Sequence, residues 1–411
     1  MNKIRFGAGH QLPTYQIYCL VFWLLLLGQA LPSHAQDSTL TRLVRQHHFA
    51  LTTDGTQFSG PGWDRLRAAA QKSQFVLVGE EHGLAQIPAF TAAIAQVFKP
   101  IAFVAEIDPY VAQALTTLAA QPGLPVAYER QYPEALCFYD LQEEFELARR
   151  LRSQQVRLVG IDQVYGSTSA PFYQQLAGLV KSPATKAYLL RQASRYQQQQ
   201  LAFERAGQNE WVMEKQTPAT VDSLLTLTKI ESPAARRMAQ EYAASYAIYK
   251  SQSHQQRLNL LKRNLLQEFP AGESTPRLLF KLGANHAARG LSPASFGEFY
   301  DVGNLVQNLA DTQGQQSLHV CIIGRQGTQA VGTNAYFPAK NTASYTATDK
   351  EKYHVFLSQV TGTDWLVVDL RPARRALTAG KLLVSDVSLQ RTILGYDYLL
   401  VIPETTASHP L

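Results

Sequence analysis

The chain predicts an α/β fold: a central, mostly parallel sheet flanked by helices and interrupted by a large helical insertion. Three observations predict it. Short, mainly apolar runs recur at 75–78, 101–105, 156–161 and 278–282, the first of them continuous, the pattern of strands buried on both faces. Segments with helical spacing of apolar residues separate the first three runs, the alternation that builds parallel sheets. Over 171–270 the composition shifts to Gln, Ala, Leu and Tyr with no strand candidate, which marks the insertion.

Taken in chain order, residues 1–35 read as an export signal. Lys3 and Arg5 supply the positive start, 17–27 is apolar, and Ser33-His34-Ala35 offers small residues for cleavage before Gln36. The apolar stretch is shorter than the roughly 18 to 20 residues that cross a bilayer. Cys19 follows Tyr18 rather than a small residue, which argues against a lipid anchor. A mature chain over 36–411, periplasmic or secreted and without a membrane span, is the expectation.

A helix is predicted over 63–70 and a strand over 75–78, with Gly79 to His82 on the loop leaving it. Phe90, Ile94, Val97 and Phe98 space the next helix, Pro100 ends it, and the strand at 101–105 follows. This β-α-β unit places Glu80 and Glu106 at the same end of strands expected to be adjacent. Leu141, Phe145, Ala148 and Leu151 space another helix, with Arg149, Arg150 and Arg152 near its C-terminus, where the dipole favours cations. The strand at 156–161 then delivers Asp162.

Within the insertion, Gln197 to Gln200 read as a solvated helix face, and Tyr242, Tyr246 and Tyr249 as a packing stripe. Beyond it come a strand at 278–282, a helix at 302–310 and a strand at 318–323. A Gly/Thr/Asn-rich loop over 324–348 and strands at 365–370 and 398–402 complete the pattern. No internal repeat is evident.

Four apolar runs end in an acid or a histidine: Val78-Gly79-Glu80-Glu81-His82, Val104-Ala105-Glu106, Val159-Gly160-Ile161-Asp162 and Leu282-Gly283-Ala284-Asn285-His286. In a parallel sheet these groups emerge along the edge where open α/β folds build their sites. A Glu beside a His fixes its tautomer and raises its basicity, and a poised imidazole takes a proton from water or a hydroxyl. Glu80, His82, Glu106 and His286 are therefore the candidate catalytic residues. Glu81, Asp162, Asn285 and Arg289 are candidates for substrate binding, Arg289 through its planar fork.

Other chemistries fare worse on the same residues. No HExxH, no Gly-x-Ser-x-Gly elbow and no glycine-rich phosphate loop is present, so no metal ligand and no cofactor is assigned. A formal net charge of +6 without a dense Lys/Arg stripe argues against nucleic acid; a small-molecule substrate is the expected partner. Cys137 and Cys321 could be joined in an exported protein if their Cα atoms lie within about 7 Å; two buried thiols are the alternative.

In the order of these motifs the chain resembles the erythromycin-esterase-like superfamily, which also takes in the haem-binding ChaN and the Tiki proteins. Members carry Gly-Glu-x-His or Gly-Glu-x-x-His after an early strand, a strand ending in Glu, a Gly-x-Asp, and a late Asn-His or Gly-His segment. Here these are Gly79 to His82, Glu106, Gly160 to Asp162 and Gly283 to His286; Tyr396 to Thr405 also resembles the family's last strand. The resemblance implies a hydrolase of an ester, lactone or related acyl bond without a metal. His82 is then the base, Glu80 and Glu106 orient it or the water, and His286 binds or protonates substrate. It also implies two alternatives, a haem- or iron-binding protein of the ChaN type, whose Glu-to-His spacing this chain shares, and a Tiki-like metal-dependent peptidase.

Overall fold

A computed structural model describes residues 31–269, 276–294, 296–346 and 350–411. All but the last five residues of the expected export signal lie outside the described residues; 31–35 begin a helix, Leu31–Gln46. Among the described residues no helix is long and apolar enough to cross a membrane.

Ten strands make one sheet: β1 (His48–Thr53), β2 (Phe58–Ser59), β3 (Phe75–Glu80), β4 (Ala102–Ala105), β5 (Arg157–Gly160), β6 (Leu278–Gly283), β7 (Ser317–Ala330), β8 (Thr342–Thr346), β9 (Trp365–Asp369) and β10 (Tyr398–Thr405), counted among the described residues. Their order is β2-β1-β9-β10-β7-β3-β6-β4-β5, with β8 paired to β7. The stretch from β10 to β5 is parallel throughout. Only β9, β1, β2 and β8 pair antiparallel. Every residue of β3, β4 and β6 is buried, which is why these segments are predominantly apolar, with Lys281 the exception inside β6.

The expected neighbours β3 and β4 are not adjacent, because β6 lies between them. The register pairs Glu80 with Gly283 across β3 and β6, Ala105 with Lys281 across β4 and β6, and Ala105 with Gly160 across β4 and β5. The crossover from β3 to β4 skips one position, and a strand arriving from beyond the insertion fills it. The late His286 thereby joins the centre of the site instead of its margin. Phe75, Phe103 and Phe280 on these three strands are fully buried. Burying each contributes about 1.5–3 kcal/mol, which anchors strands whose ends are charged.

Helices Gly60–Lys72, Gln86–Phe98, Gln142–Ser153 and Pro109–Ala119 pack one against the next in that order, while His254–Leu266 and Ala284–Ala287 pack on Val302–Asp311. The segment 171–269 is helical, and three of its helices open on Ser182-Pro183, Thr217-Pro218 and Ser232-Pro233. A hydroxyl before Pro at the first helical position suits a helix start, since Pro lacks the N–H that would go unbonded there. Ser182 and Ser232 accept the N–H groups of Thr185 and Ala235 at 3.3 and 3.2 Å. These helices share a core in which Tyr242 is fully buried and Tyr246 nearly so, with Tyr249 at its edge.

The expected loop over 324–348 is largely a hairpin instead. β7 runs on to Ala330 and pairs antiparallel with β8. Sequence reading stopped the strand at Gly324 because polar residues follow, but an edge extension half open to water needs no apolar run. Cys137 and Cys321 are both free.

Candidate active site at the C-terminal edge of the sheet

Glu80 is the last residue of β3. After it the chain turns through Gly83, whose φ of +78° and whose approach to Ala330 leave no room for a side chain. That turn swings His82 back over the end of β6. A Cβ on Gly283 would stand 3.0 Å from His82 Nε2 and 3.3 Å from Glu106 Oε2, so the missing side chain leaves these groups their space. The His82 ring stacks on Phe138, centroids 4.1 Å apart at 12°, and Gln329 donates to the His82 carbonyl at 3.0 Å.

His82 Nδ1 lies 2.9 Å from Glu80 Oε1. A carboxylate only accepts, so Nδ1 carries the proton and Nε2 is left as the basic nitrogen. Nε2 faces Glu106 Oε2 at 3.8 Å, and a third of the His82 side chain is exposed. Glu106 follows β4 and is itself surrounded by donors: Gly283 N at 2.7 Å, Arg257 Nη2 at 2.8 Å and His286 Nε2 at 3.2 Å. His286, on the one-turn helix after β6, gives its Nδ1 to Asp301 Oδ2 at 2.8 Å. The result is a continuous line, Glu80–His82–Glu106–His286–Asp301, in which carboxylates and imidazoles alternate.

Asp162 joins this line indirectly. It grips Arg257 through two contacts, one at 3.0 Å to Nε and a shorter one to Nη2, so that Arg257 bridges Asp162 and Glu106. On the other side, Lys281 of β6 is fully enclosed and lies 2.5 Å from Glu80 Oε1 and 2.7 Å from Glu144 Oε1.

Charge follows from these contacts. Burial works to neutralise Glu106, but the cations of His286, His82 and Arg257 outweigh it and hold its carboxyl well below the usual range. Glu80 is likewise lowered, Lys281 and His82 overcoming its burial. Burial opposes the charged form of His286, yet Glu106 and Asp301 raise it to about 10. His82 is raised above 6.5 against its own burial, by Glu80 first and then Glu106. Burial and the nearby Glu80 lift Glu144 to about 7 in spite of Lys281.

Of the eight residues singled out from sequence, Glu80, His82, Glu106, His286 and Asp162 converge. Three do not. Glu81 points the other way and accepts the phenolic O–H of Tyr345 on β8; neighbouring residues at a strand end face opposite sides. Asn285 is exposed, and its backbone carbonyl accepts from Ser292. Arg289 pairs with Asp397 at the start of β10, near His319 at the start of β7. The chain runs back along the sheet after His286, as the bond from Arg289 N to Gly395 O shows, and leaves the cleft behind. His286 differs from expectation too: both its nitrogens are engaged and its side chain is 7% exposed, so it faces Glu106 rather than the opening. Sequence reading missed Arg257, Lys281, Glu144 and Asp301. Among the described residues no three His, Cys, Asp or Glu side chains are arranged to hold a metal ion.

No protein-family model matches the chain, and no curated protein matches it. The fold is shared with three solved structures. A succinoglycan biosynthesis protein superposes with a TM-score of 0.58 at 15% identity, over 92% of this chain and 99% of that one. A protein from Bacillus cereus gives 0.56 at 14%, over 91% and 99%. A mutant of the erythromycin esterase EreC in its open conformation gives 0.53 at 12%, over 88% and 98%.

Proposed function

We propose that the chain is an exported hydrolase of an ester, lactone or related acyl bond in a small molecule, with His82 as general base toward water. The observation that carries this reading is the anchored imidazole: Glu80 holds Nδ1 at 2.9 Å while Nε2, on the open side, faces an ionised carboxylate. A water hydrogen-bonded to both Nε2 and Glu106 Oε2 is oriented and partly deprotonated at once. Its proton passes to Nε2 and its oxygen bonds to the acyl carbon, whose C=O electron pair moves onto oxygen. When that pair returns, the bond to the leaving alkoxide breaks and the His82 imidazolium protonates it, giving acid and alcohol. Enclosed and charged, His286 fixes Glu106 instead of touching substrate. Export rests on Lys3, Arg5 and the apolar residues 17–27.

Hydrolysis of a panel of p-nitrophenyl esters and lactones tests the reading. His82→Ala should lower kcat about a hundredfold to ten-thousandfold with the fold intact, the usual contribution of a general base. His82 must be neutral and His286 charged, so activity should rise with pH through a midpoint above 6.5 and fall again near 10. Equal turnover by His82→Ala would sink the mechanism.

A further inference from the structure

We propose that Arg257, carried by the helical insertion, binds the acyl oxygen of the substrate and stabilises the negative charge that forms there. This rests on the hydrolase reading and names the group that reading lacks, a donor for the oxyanion.

The guanidinium uses one edge for the protein. Nε and Nη2 meet Asp162 and Glu106, and no acceptor among the described residues takes Nη1. Nη1 is not sealed from solvent either: it is absent from the buried polar atoms without partners, and 24% of the side chain is exposed. The engaged edge thus leaves beside Glu106 a pair of N–H groups without a protein acceptor among the described residues, on a side chain that solvent reaches. Their direction is set by two contacts to Asp162 and one to Glu106, which removes the rotational freedom a lone surface arginine would have.

Position relative to the base makes the role specific. One carboxylate, Glu106, faces His82 through Oε2 and Arg257 through Oε1. The nitrogen that takes the proton and the free guanidinium edge therefore flank a single carboxylate. An ester laid across Glu106 presents its carbonyl carbon to the water on His82 and its oxygen to Nη1. As the water oxygen bonds to carbon, the C=O pair moves onto that oxygen and meets two preplaced N–H donors. The same helix is held independently, by Asn264 Nδ2 donating to the Ile161 carbonyl at 2.9 Å, so its placement does not depend on Arg257 alone.

A merely structural arginine would only balance Asp162 and Glu106, and a lysine supplies that charge. Arg257→Lys separates the roles. With p-nitrophenyl acetate, loss of an oxyanion donor should lower kcat about a hundredfold to a thousandfold while KM changes little. Added guanidinium should restore part of the rate to Arg257→Ala. Binding of p-nitrophenyl methylphosphonate, an anionic mimic of the tetrahedral intermediate, is followed by calorimetry and needs no turnover; it should weaken in Arg257→Lys. In the parent protein the phosphonate should also shield Arg257 from phenylglyoxal, read by peptide mapping, so the test survives a variant that fails to fold. An Arg257→Lys enzyme as fast as the parent and binding the phosphonate equally, or an unshielded Arg257, overturns the proposal and leaves the hydrolase reading standing. Arg257-dependent phosphonate binding by a parent that hydrolyses no ester sinks the hydrolase reading and keeps the anion site; a parent that neither hydrolyses nor binds overturns both.

Discussion

The candidate site is assembled from two regions that obey different rules. One is the row of strand ends, where Glu80, Glu106 and the Gly283-to-His286 turn sit on β3, β4 and β6 in fixed register. Fully buried strands hold those groups, and their positions follow from a recurring pattern of apolar run followed by a polar end. The other region is borne by helices: Arg257 in the first turn of His254–Leu266, Asp301 as the cap of Val302–Asp311, and Glu144 in Gln142–Ser153. Arg257 and Asp301 meet groups of opposite charge just beyond the strand ends, and Glu144 meets Lys281 inside β6. In the proposed mechanism the sheet edge thus supplies the base nitrogen, and the helices set protonation and supply a cation. A rigid edge can be altered at one residue without moving the rest, whereas a helix-borne partner also ties a layer to the sheet.

Glu106 is where the two regions meet, so Glu106→Gln should break the comparison most severely. The amide cannot balance Arg257 and His286, and its NH2 group cannot accept from all the donors now aimed at Glu106. Breaking a buried pair by removing one partner costs about 3–5 kcal/mol. The expected result is loss of more than about a hundredfold in turnover together with a lower urea midpoint. A variant that keeps parental stability and rate would mean that the two regions are not coupled through this carboxylate.

Asp301→Asn acts only on the helical side and should have the next largest effect. His286 then loses one of the two carboxylates that raise it to about 10, so the alkaline limb of activity should move to lower pH. Stability carries the same signature. Because the folded value lies above 6.5, the stabilisation from charged His286 is complete below about 6.5, shrinks as pH rises and is gone above about 10. In Asp301→Asn this loss should be finished at lower pH, as urea midpoints taken from pH 6 to 10 would report. An unmoved limb would show that His286 does not set it.

The difference between the regions also explains how much could be read in advance. The strand-end residues were legible because strand periodicity fixes which end of the sheet a motif reaches. That the strand leading to His286 would stand between those of Glu80 and Glu106 was not, since strand order is set by which later strand fills a skipped position. Lys281 left a signal that went unused: a lone charge inside Leu278–Gly283 must find a buried partner. Asp301 looks in sequence like any helix cap. Arg257 left none, because it is one of two arginines in its helix and lies 95 residues from Asp162. Arg289 was misplaced for the converse reason: proximity to His286 in sequence says nothing once the chain reverses.

Farther from the cleft, Tyr242→Phe should show that the insertion core is stabilising without being catalytic. Its hydroxyl meets Ser169 Oγ and Gln216 Nε2, both at 2.7 Å, in a fully buried setting. Removing it leaves those groups short of a partner, at a cost of about 1–3 kcal/mol. The urea midpoint should fall while kcat and KM stay near parental values. A kcat that fell with the midpoint would tie the insertion core to catalysis beyond Arg257.

The smallest effect is expected at Arg289, the residue sequence placed in the cleft and the structure places at the far end of the sheet. Its guanidinium and that of Arg374 share Asp397, which also accepts from His319 N at 2.9 Å. Arg289→Lys preserves the charge facing Asp397 and leaves Arg374 in place, so a loss of about 1 kcal/mol or less is expected from the lost planar contact. None of the proposed catalytic groups touches this pair, and kcat/KM for the best ester should stay within about twofold of the parent, well below the loss of about a hundredfold to a thousandfold expected at the oxyanion position. The contrast with Arg257→Lys is the sharpest form of the comparison, since the two substitutions are chemically identical and differ only in which end of the sheet they occupy. A drop of more than about tenfold at Arg289 would mean that the end of the sheet near Asp397 communicates with the cleft, and that the division between reacting edge and structural edge drawn from the strand directions is wrong.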